Sequence, residues 1–158
     1  MQSSKKEAMS HRLASSVAEP STPSDERQAA ISTLEHYTGT VIAAINARDF
    51  DNAIFSLATP DFKASQIENF PPTSGPEAHL DMFRQMALES PEFSMEIESM
   101  STVLSADGLD AEVHLQVTLT ERPPGLGRSA MGVVTWRWRQ DERRWYALSH
   151  YGFLNFIV

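Results

Sequence analysis

From Phe93 onward the apolar residues recur at every second position, a period that a β-strand satisfies and a helix does not. Four runs carry it: FSMEIESMSTVL, DAEVHLQVTLTE, SAMGVVTWRWR and RRWYALSHYGFLNF. Turn-like pieces separate them at Asp107 and Gly108, at Pro123 to Gly127 and at Gln140 to Glu142, so four antiparallel strands in a meander are predicted. In the second run Ala111, Val113, Leu115, Val117 and Leu119 form one row and Glu112, His114, Gln116, Thr118 and Thr120 the other. The apolar row has to face the core. In the third run Gly132, Val134, Trp136 and Trp138 alternate with Val133, Thr135, Arg137 and Arg139. In the fourth Trp145, Ala147, Ser149, Tyr151 and Phe153 alternate with Tyr146, Leu148 and His150. Strict alternation therefore sends the aromatic rows, with Ser149 and Tyr151, inward and the arginines outward.

Before Phe93 the spacing is helical. Ile31, Leu34, Thr38, Val41, Ile42 and Ile45 lie on one stripe, with Ser24 and Asp25 available to start the helix. A shorter helix follows, capped by Asp49, with Phe50, Ala53, Ile54 and Leu57 as its stripe and Pro60 as its stop. Asp61 to Phe70 reads as irregular or a brief strand, closed by Pro71 and Pro72. Ser74, Pro76 and Glu77 then have the spacing of a capping box with proline in the first turn. The third helix that starts there carries Met82, Phe83 and Met86, and the same spacing extended backward reaches His79, which should point inward. Helices first and strands last define an α+β protein, three N-terminal helices on one face of an antiparallel sheet of four or more strands. Residues 1–26, rich in serine and short of large apolar residues, are expected to form a disordered tail before a single domain over 27–158.

The arginines interleaved with aromatics in WRWRQDERRWYALSHYGF also fit a nucleic-acid surface. A net charge of −8 and a pI near 5.0 weigh against it, because the long-range field repels polyphosphate. The chain has no cysteine, which removes disulfides, thiolate nucleophiles and sulfur-ligated metals. It has neither the apolar stretch of a membrane span nor the apolar block of a secretory signal in its first thirty residues. A cytoplasmic protein with no nucleic-acid or membrane partner is the expectation.

The order long helix, short helix, PDF segment, GPEAHLDMF helix and four strands ending in WRWRQDERRWYALSHYGF resembles the nuclear transport factor 2-like superfamily, with its SnoaL-like polyketide cyclase and ketosteroid isomerase branches. The resemblance covers roughly residues 28–156. It implies a cone-shaped α+β barrel that dimerises through the outer face of its sheet. Isomerases, cyclases, dehydratases, hydrolases and modules that only bind or assemble share that architecture, so the fold alone does not choose among them. Laid on the ketosteroid isomerase pattern, Gln66 stands where a general-base aspartate is needed, Val134 where a protonated aspartic acid is needed, and Val41 where a tyrosine donor is needed. Those departures disfavour that particular reaction. Tyr37 lies one turn before Val41 and can bring a phenol to the same cavity. Scytalone dehydratase is another relative, whose histidines and tyrosines are similar to the set His79, Tyr37 and Tyr151, without its motifs matching here.

His79 fits two roles: an acid or base near neutral pH, or a core imidazole tied to a backbone carbonyl. Tyr37 and Tyr151 can polarise a carbonyl or simply pack with one hydroxyl partner. These three are the candidate catalytic residues, and Gln66, Trp136, Ser149, Val134, Val41 and Met82 the candidate substrate-binding ones. The mixture of bulky residues with Ala147, Ser149 and Gly132 on the inward rows suits a cavity for a small apolar organic ligand. GLGRSA at 125–130 has dinucleotide-like spacing, but proline precedes it and a strand follows, the reverse of what that chemistry needs. Neither a cofactor nor a metal is expected. The expectation is a cofactor-independent isomerase, cyclase or dehydratase working by acid/base catalysis on a polyketide- or terpenoid-like metabolite; the rival is a non-catalytic ligand-binding or dimerisation module.

Overall fold

The helical stripe that begins at Ile31 is realised as α1 (Pro23–Asn46), which buries Leu34, Thr38, Ala44 and Ile45. The structure, a computed structural model, describes residues 23–66, 72–120 and 128–155. Of the expected tail, residues 23–26 are the first turn of α1, and residues 1–22 lie outside the described residues. Asp25 and Glu26 place carboxylates at the positive end of the helix dipole. At the other end Arg48 takes a left-handed φ of 61°, and its guanidinium donates to the carbonyls of Ile45, Pro91 and Phe93 at 3.1, 3.0 and 2.7 Å. The Asn46 amide donates to Met95 O at 2.7 Å and accepts from Met95 N at 2.9 Å. The helix is thus fastened to the start of the sheet by groups that would otherwise stay unpaired.

The second expected helix is only a 3-10 turn, Ala53–Leu57, so two α-helices and this turn replace the predicted three helices among the described residues. Its cap is Asn52, whose Oδ1 accepts from Ile54 N at 3.0 Å, whereas Asp49 accepts from Asn52 Nδ2 at 2.8 Å. With a strand beginning at Ala58, there is no length for an α-helix to propagate. That strand, β1 (Ala58–Gln66), realises the brief strand, one of the two readings of Asp61 to Phe70, and it begins earlier, at Ala58. Its register shifts between Ala58 and Lys63, the interval that contains Pro60, a residue unable to donate to a ladder. A short β2 (Thr73–Ser74) pairs with it through Lys63 and Ala64.

Helix α2 (Pro76–Glu89) starts one residue later than the capping box implied. Ser74 belongs to β2, and the cap position falls to Gly75, whose φ of 89° suits glycine and which makes no side-chain cap hydrogen bond. Gly75 N donates to Phe62 O at 2.7 Å, fixing the helix start against β1. The period-two runs become β3 (Ser94–Leu104), β4 (Asp110–Thr120), β5 (Arg128–Arg139) and β6 (Arg144–Asn155). The β3–β4 turn is built by Gly108 at φ 73° and by Asp107, whose Oδ1 accepts from Ser105 Oγ and Leu109 N.

The sheet is six-stranded, in the order β2-β1-β6-β5-β4-β3, and mixed, because β1 runs parallel to β6. Helix α1 packs on β3 and β4 while α2 packs on β1 and β2. The two helices therefore cover opposite ends of one face, with β5 and β6 between them. The main core joins Leu34 and Leu57 to Phe62, Val113, Trp136 and Trp145, and a second group forms from Leu115, Val117 and Ala130. Each large apolar side chain sealed there contributes about 1.5–3 kcal/mol of burial free energy.

Candidate functional site

The site depends on one irregularity in β6. Trp136 pairs with Ala147, but Thr135 pairs with Ser149, so Leu148 is an extra residue and the alternation changes phase there. Ser149 accordingly lies on the outer face, within 2.6 Å of the Thr135 hydroxyl, and Tyr151 is 55% exposed. The inward placement expected of both is overturned. His150, read as outward, takes the inner position opposite Val134. A Cβ at Gly132 would stand 3.1 Å from His150 Nε2 and 3.2 Å from Leu115 Cδ2, so the missing side chain makes room for the imidazole.

His79 reaches the same place from α2. Its ring lies 5.5 Å from that of His150, 5.5 Å from Phe62 and 5.0 Å, edge-on, from Phe83. Burial among these apolar groups disfavours the charged form, holding His150 at about 4 and His79 at about 3, the latter helped by repulsion from His150. Both rings are neutral near pH 7. The Nδ1 atoms of both are sealed from solvent with no hydrogen-bond partner among the described residues, as are Thr73 Oγ1, Thr59 Oγ1 and Trp136 Nε1. The carbonyl tie that would make His79 a packing residue is not made by its Nδ1. Thr73 pairs with Ala64, which pairs with His150, so the hydroxyl, the imidazole and Val134 occupy one inner cross-strand row. Polar atoms left unpaired in a dry interior each cost about 1–3 kcal/mol, which a ligand offering complementary groups would recover.

The other candidates fall as follows. Tyr37 is half-buried on α1 with its ring 5.9 Å from that of Trp136. Trp136 is 2% exposed, Val134 packs against the same core, and Val41 and Met82 are half-buried on α1 and α2. Gln66 ends β1 opposite Gly152; its side chain lies outside the described residues. His114 sits on the outer row, as expected, with Nε2 3.1 Å from Glu112 Oε2. Arg137 and Arg139 also point outward, to Asp110 and Glu142. Sequence reasoning missed His150. The available signal was the break in phase itself, since strict alternation placed apolar Leu148 outside and polar Ser149 inside.

A surface depression of about 430 Å³ lies elsewhere, between Arg48, Phe50, Arg84, Leu88 and Pro91. Its cations are engaged, Arg48 with backbone carbonyls and Arg84 with Glu77 and Asp81, which leaves the histidine pair as the better place for chemistry. Among the described residues no three metal-ligating side chains come together, and no helix is long and apolar enough to cross a membrane.

A cone-like sheet closed by helices, with polar groups aimed at its interior, is the architecture of the NTF2-like proteins. Solved structures agree: a hexachlorocyclohexane dehydrochlorinase, LinA-type3, from Novosphingobium barchaimii LL02 superposes with a TM-score of 0.70 at 15% identity, covering 83% of this chain and 90% of that one. An NTF2-like protein of unknown function from Pseudomonas putida KT2440 gives 0.65 at 17% identity, covering 82% and 89%. ActVI-ORFA from Streptomyces coelicolor gives 0.58 at 11%, covering 77% and 95%. At such identities they establish the fold alone. No curated protein matches the sequence. The SnoaL-like domain family matches residues 39–146, more than half of the chain, and the protein belongs to that family within the NTF2-like superfamily.

Proposed function

We propose that the protein binds a small, largely apolar, polyketide- or terpenoid-like molecule inside the cone and moves a proton on it without a cofactor, as an isomerase, cyclase or dehydratase does. The observation that carries this reading is the facing pair His79 and His150, 5.5 Å apart, with both Nδ1 atoms buried and unpaired among the described residues. A neutral imidazole offers one lone pair and one N–H. One ring can accept a proton from carbon while the N–H of the other holds the substrate oxygen on which charge develops. Burial penalises an isolated imidazolium, but this transfer creates the two charges together as a close pair. The proton then returns at a second carbon in an isomerisation, leaves with the departing hydroxyl as water in a dehydration, or goes to the oxygen of the attacked carbonyl in a cyclisation.

Because both rings stay neutral well below pH 7, turnover is expected to be flat from about pH 8 to about pH 5 and to fall as protonation begins near pH 4. The test is native mass spectrometry of protein from its native host to identify a retained molecule, followed by its turnover with His79→Ala and His150→Ala. Each substitution should lower the rate by about 10²-fold or more. Undiminished turnover by His79→Ala would sink the acid/base role.

A second reading, a ligand-binding or dimerisation module without turnover, is supported by Trp136 and Trp145, which at 2% and 5% exposure fill the core beneath α1. Binding of the retained molecule with no chemical change would favour it. For either reading we place the protein in the cytoplasm as a homodimer. The outer sheet face exposes Val103, Met131 and Tyr151 at 59%, 40% and 55%, apolar surface that a second copy would cover. Sedimentation at micromolar concentration should show the dimer; a monomer removes this part.

A further inference from the structure

One of the unpaired buried atoms differs in kind from the imidazoles and the threonine hydroxyls. Trp136 Nε1–H can only donate, it is buried in a residue 2% exposed, and it has no acceptor among the described residues. Its position relative to the histidines is fixed by register. His150 pairs with Val134, and Trp136 is the next inward residue on β5, which makes it the diagonal neighbour of His150 across the strand pair. The Cβ atoms of such neighbours stand roughly 7–8 Å apart, and the His150 ring leans toward Gly132, away from Trp136, so a molecule touching both side chains needs at least the width of a fused bicyclic ring system.

The charges around this interior are equally informative. Arg27 directs its guanidinium to the carbonyls of Ser105 and Leu104, and Arg48 to those at the end of α1 and the start of the sheet. Arg84 is held by Glu77 and Asp81 on the surface of α2. On the inner rows Thr102, which pairs with Val113, donates to the half-buried Glu35 at 3.1 Å, so the ionisable group that meets this row from α1 is a carboxyl and not a cation. Among the described side chains none offers an anionic ligand a countercharge there, and burying an unpaired carboxylate is far more costly than burying a hydrogen-bonded carbonyl.

We infer that Trp136 Nε1–H is the specificity-determining donor of the site, selecting uncharged molecules that present an acceptor oxygen about one bicyclic ring system away from the histidine pair, and that carboxylates and phosphates are excluded. On the proposed function, which this assignment deepens, the tryptophan anchors the oxygen and the histidines work at the far side of the frame.

The probes are 1-tetralone and fluorenone, their oxygen-free counterparts tetralin and fluorene, and 1-naphthoate as the anion. The three tryptophans give three indole N–H resonances, of which Trp136 is assigned by its loss in Trp136→Phe. The ketones should move that resonance downfield and the hydrocarbons should not, a readout on the unaltered protein that does not depend on the variant folding. Trp136→Phe should weaken ketone binding about tenfold, the value of one hydrogen bond, and hydrocarbon binding less than twofold. Naphthoate should bind at least tenfold more weakly than tetralone. An unmoved indole signal, equal losses for ketone and hydrocarbon, absence of ketone binding at millimolar concentration, or naphthoate binding as tight as the ketone each overturns the assignment. Decalin-1,5-dione carries a second carbonyl on the far side of the frame, and deuterium exchange next to that carbonyl reads the histidines separately. Exchange that needs His79 and His150 with no indole response leaves the proposed function standing without the anchor; an indole response with no exchange leaves the anchor standing without the proton transfer.

Discussion

Two imidazoles held neutral in the fold should make this protein lose stability on mild acidification, before most carboxylates titrate. The sign follows from proton counting. An unfolded histidine titrates near 6.5, whereas His150 and His79 in the fold titrate at about 4 and about 3. Between those values and 6.5 the unfolded chain binds more protons, so stability falls as pH drops through 6.5 and stops falling near pH 4 for one ring and near pH 3 for the other. From pH 7 to pH 5 each ring should remove about 2 kcal/mol, and the pair about 4 kcal/mol. That is a large share of the 5–15 kcal/mol typical of a domain, and corresponds to a Tm lower by roughly 8–16 °C at this size. Asp107 and Glu142 are held below their usual range by hydrogen bonds to Ser105 and to Tyr146, so they titrate beneath this window. Urea unfolding at pH 7, 6 and 5 measures the loss, with His79→Gln/His150→Gln as the reference that should show a nearly flat profile. A wild-type stability that does not change between pH 7 and 5, or an equal slope in the double variant, refutes the reasoning.

Gly132→Ala places a Cβ 3.1 Å from His150 Nε2 and 3.2 Å from Leu115 Cδ2, and should cost about 1–3 kcal/mol and shift the His150 ring resonances, read by thermal melting and NMR. Asn46→Ala removes both hydrogen bonds to the Met95 backbone and should cost about 1–3 kcal/mol, with faster amide exchange at the start of β3. Leu34→Ala, at a residue with no exposure, should cost about 2–5 kcal/mol in chemical denaturation.

What the sequence made legible were the features set by long periodic signals. The stripe of α1, the inward row Ala111 to Val117, the outward Arg137 and the turn at Gly108 all follow from burial and local stereochemistry that neighbours in the chain determine. Strand β1 was legible only as one of two readings of Asp61 to Phe70, because Pro60 breaks its pattern and its ladder partner β6 is some ninety residues away. The site was half legible. His79 lies on a helix, where spacing alone gives direction, and it does meet aromatic and imidazole neighbours in the interior. His150, Ser149 and Tyr151 lie beyond a bulge, and a bulge is settled by which residues across the ladder fit best, a property of two strands together.

That extra residue also governs how relatives should be read. In any homologue whose sixth strand lacks a counterpart of Leu148, the residues after that point keep the same sidedness only if the alignment opens a one-residue gap there. Without the gap, the column holding Ser149 in this chain is filled by the residue that faces the homologue's interior, and the column holding His150 by one that faces solvent. A survey of active-site residues across the family would then compare inner positions with outer ones. The placement of a single gap decides whether this protein is catalogued as having a serine or a histidine at the bottom of its cone.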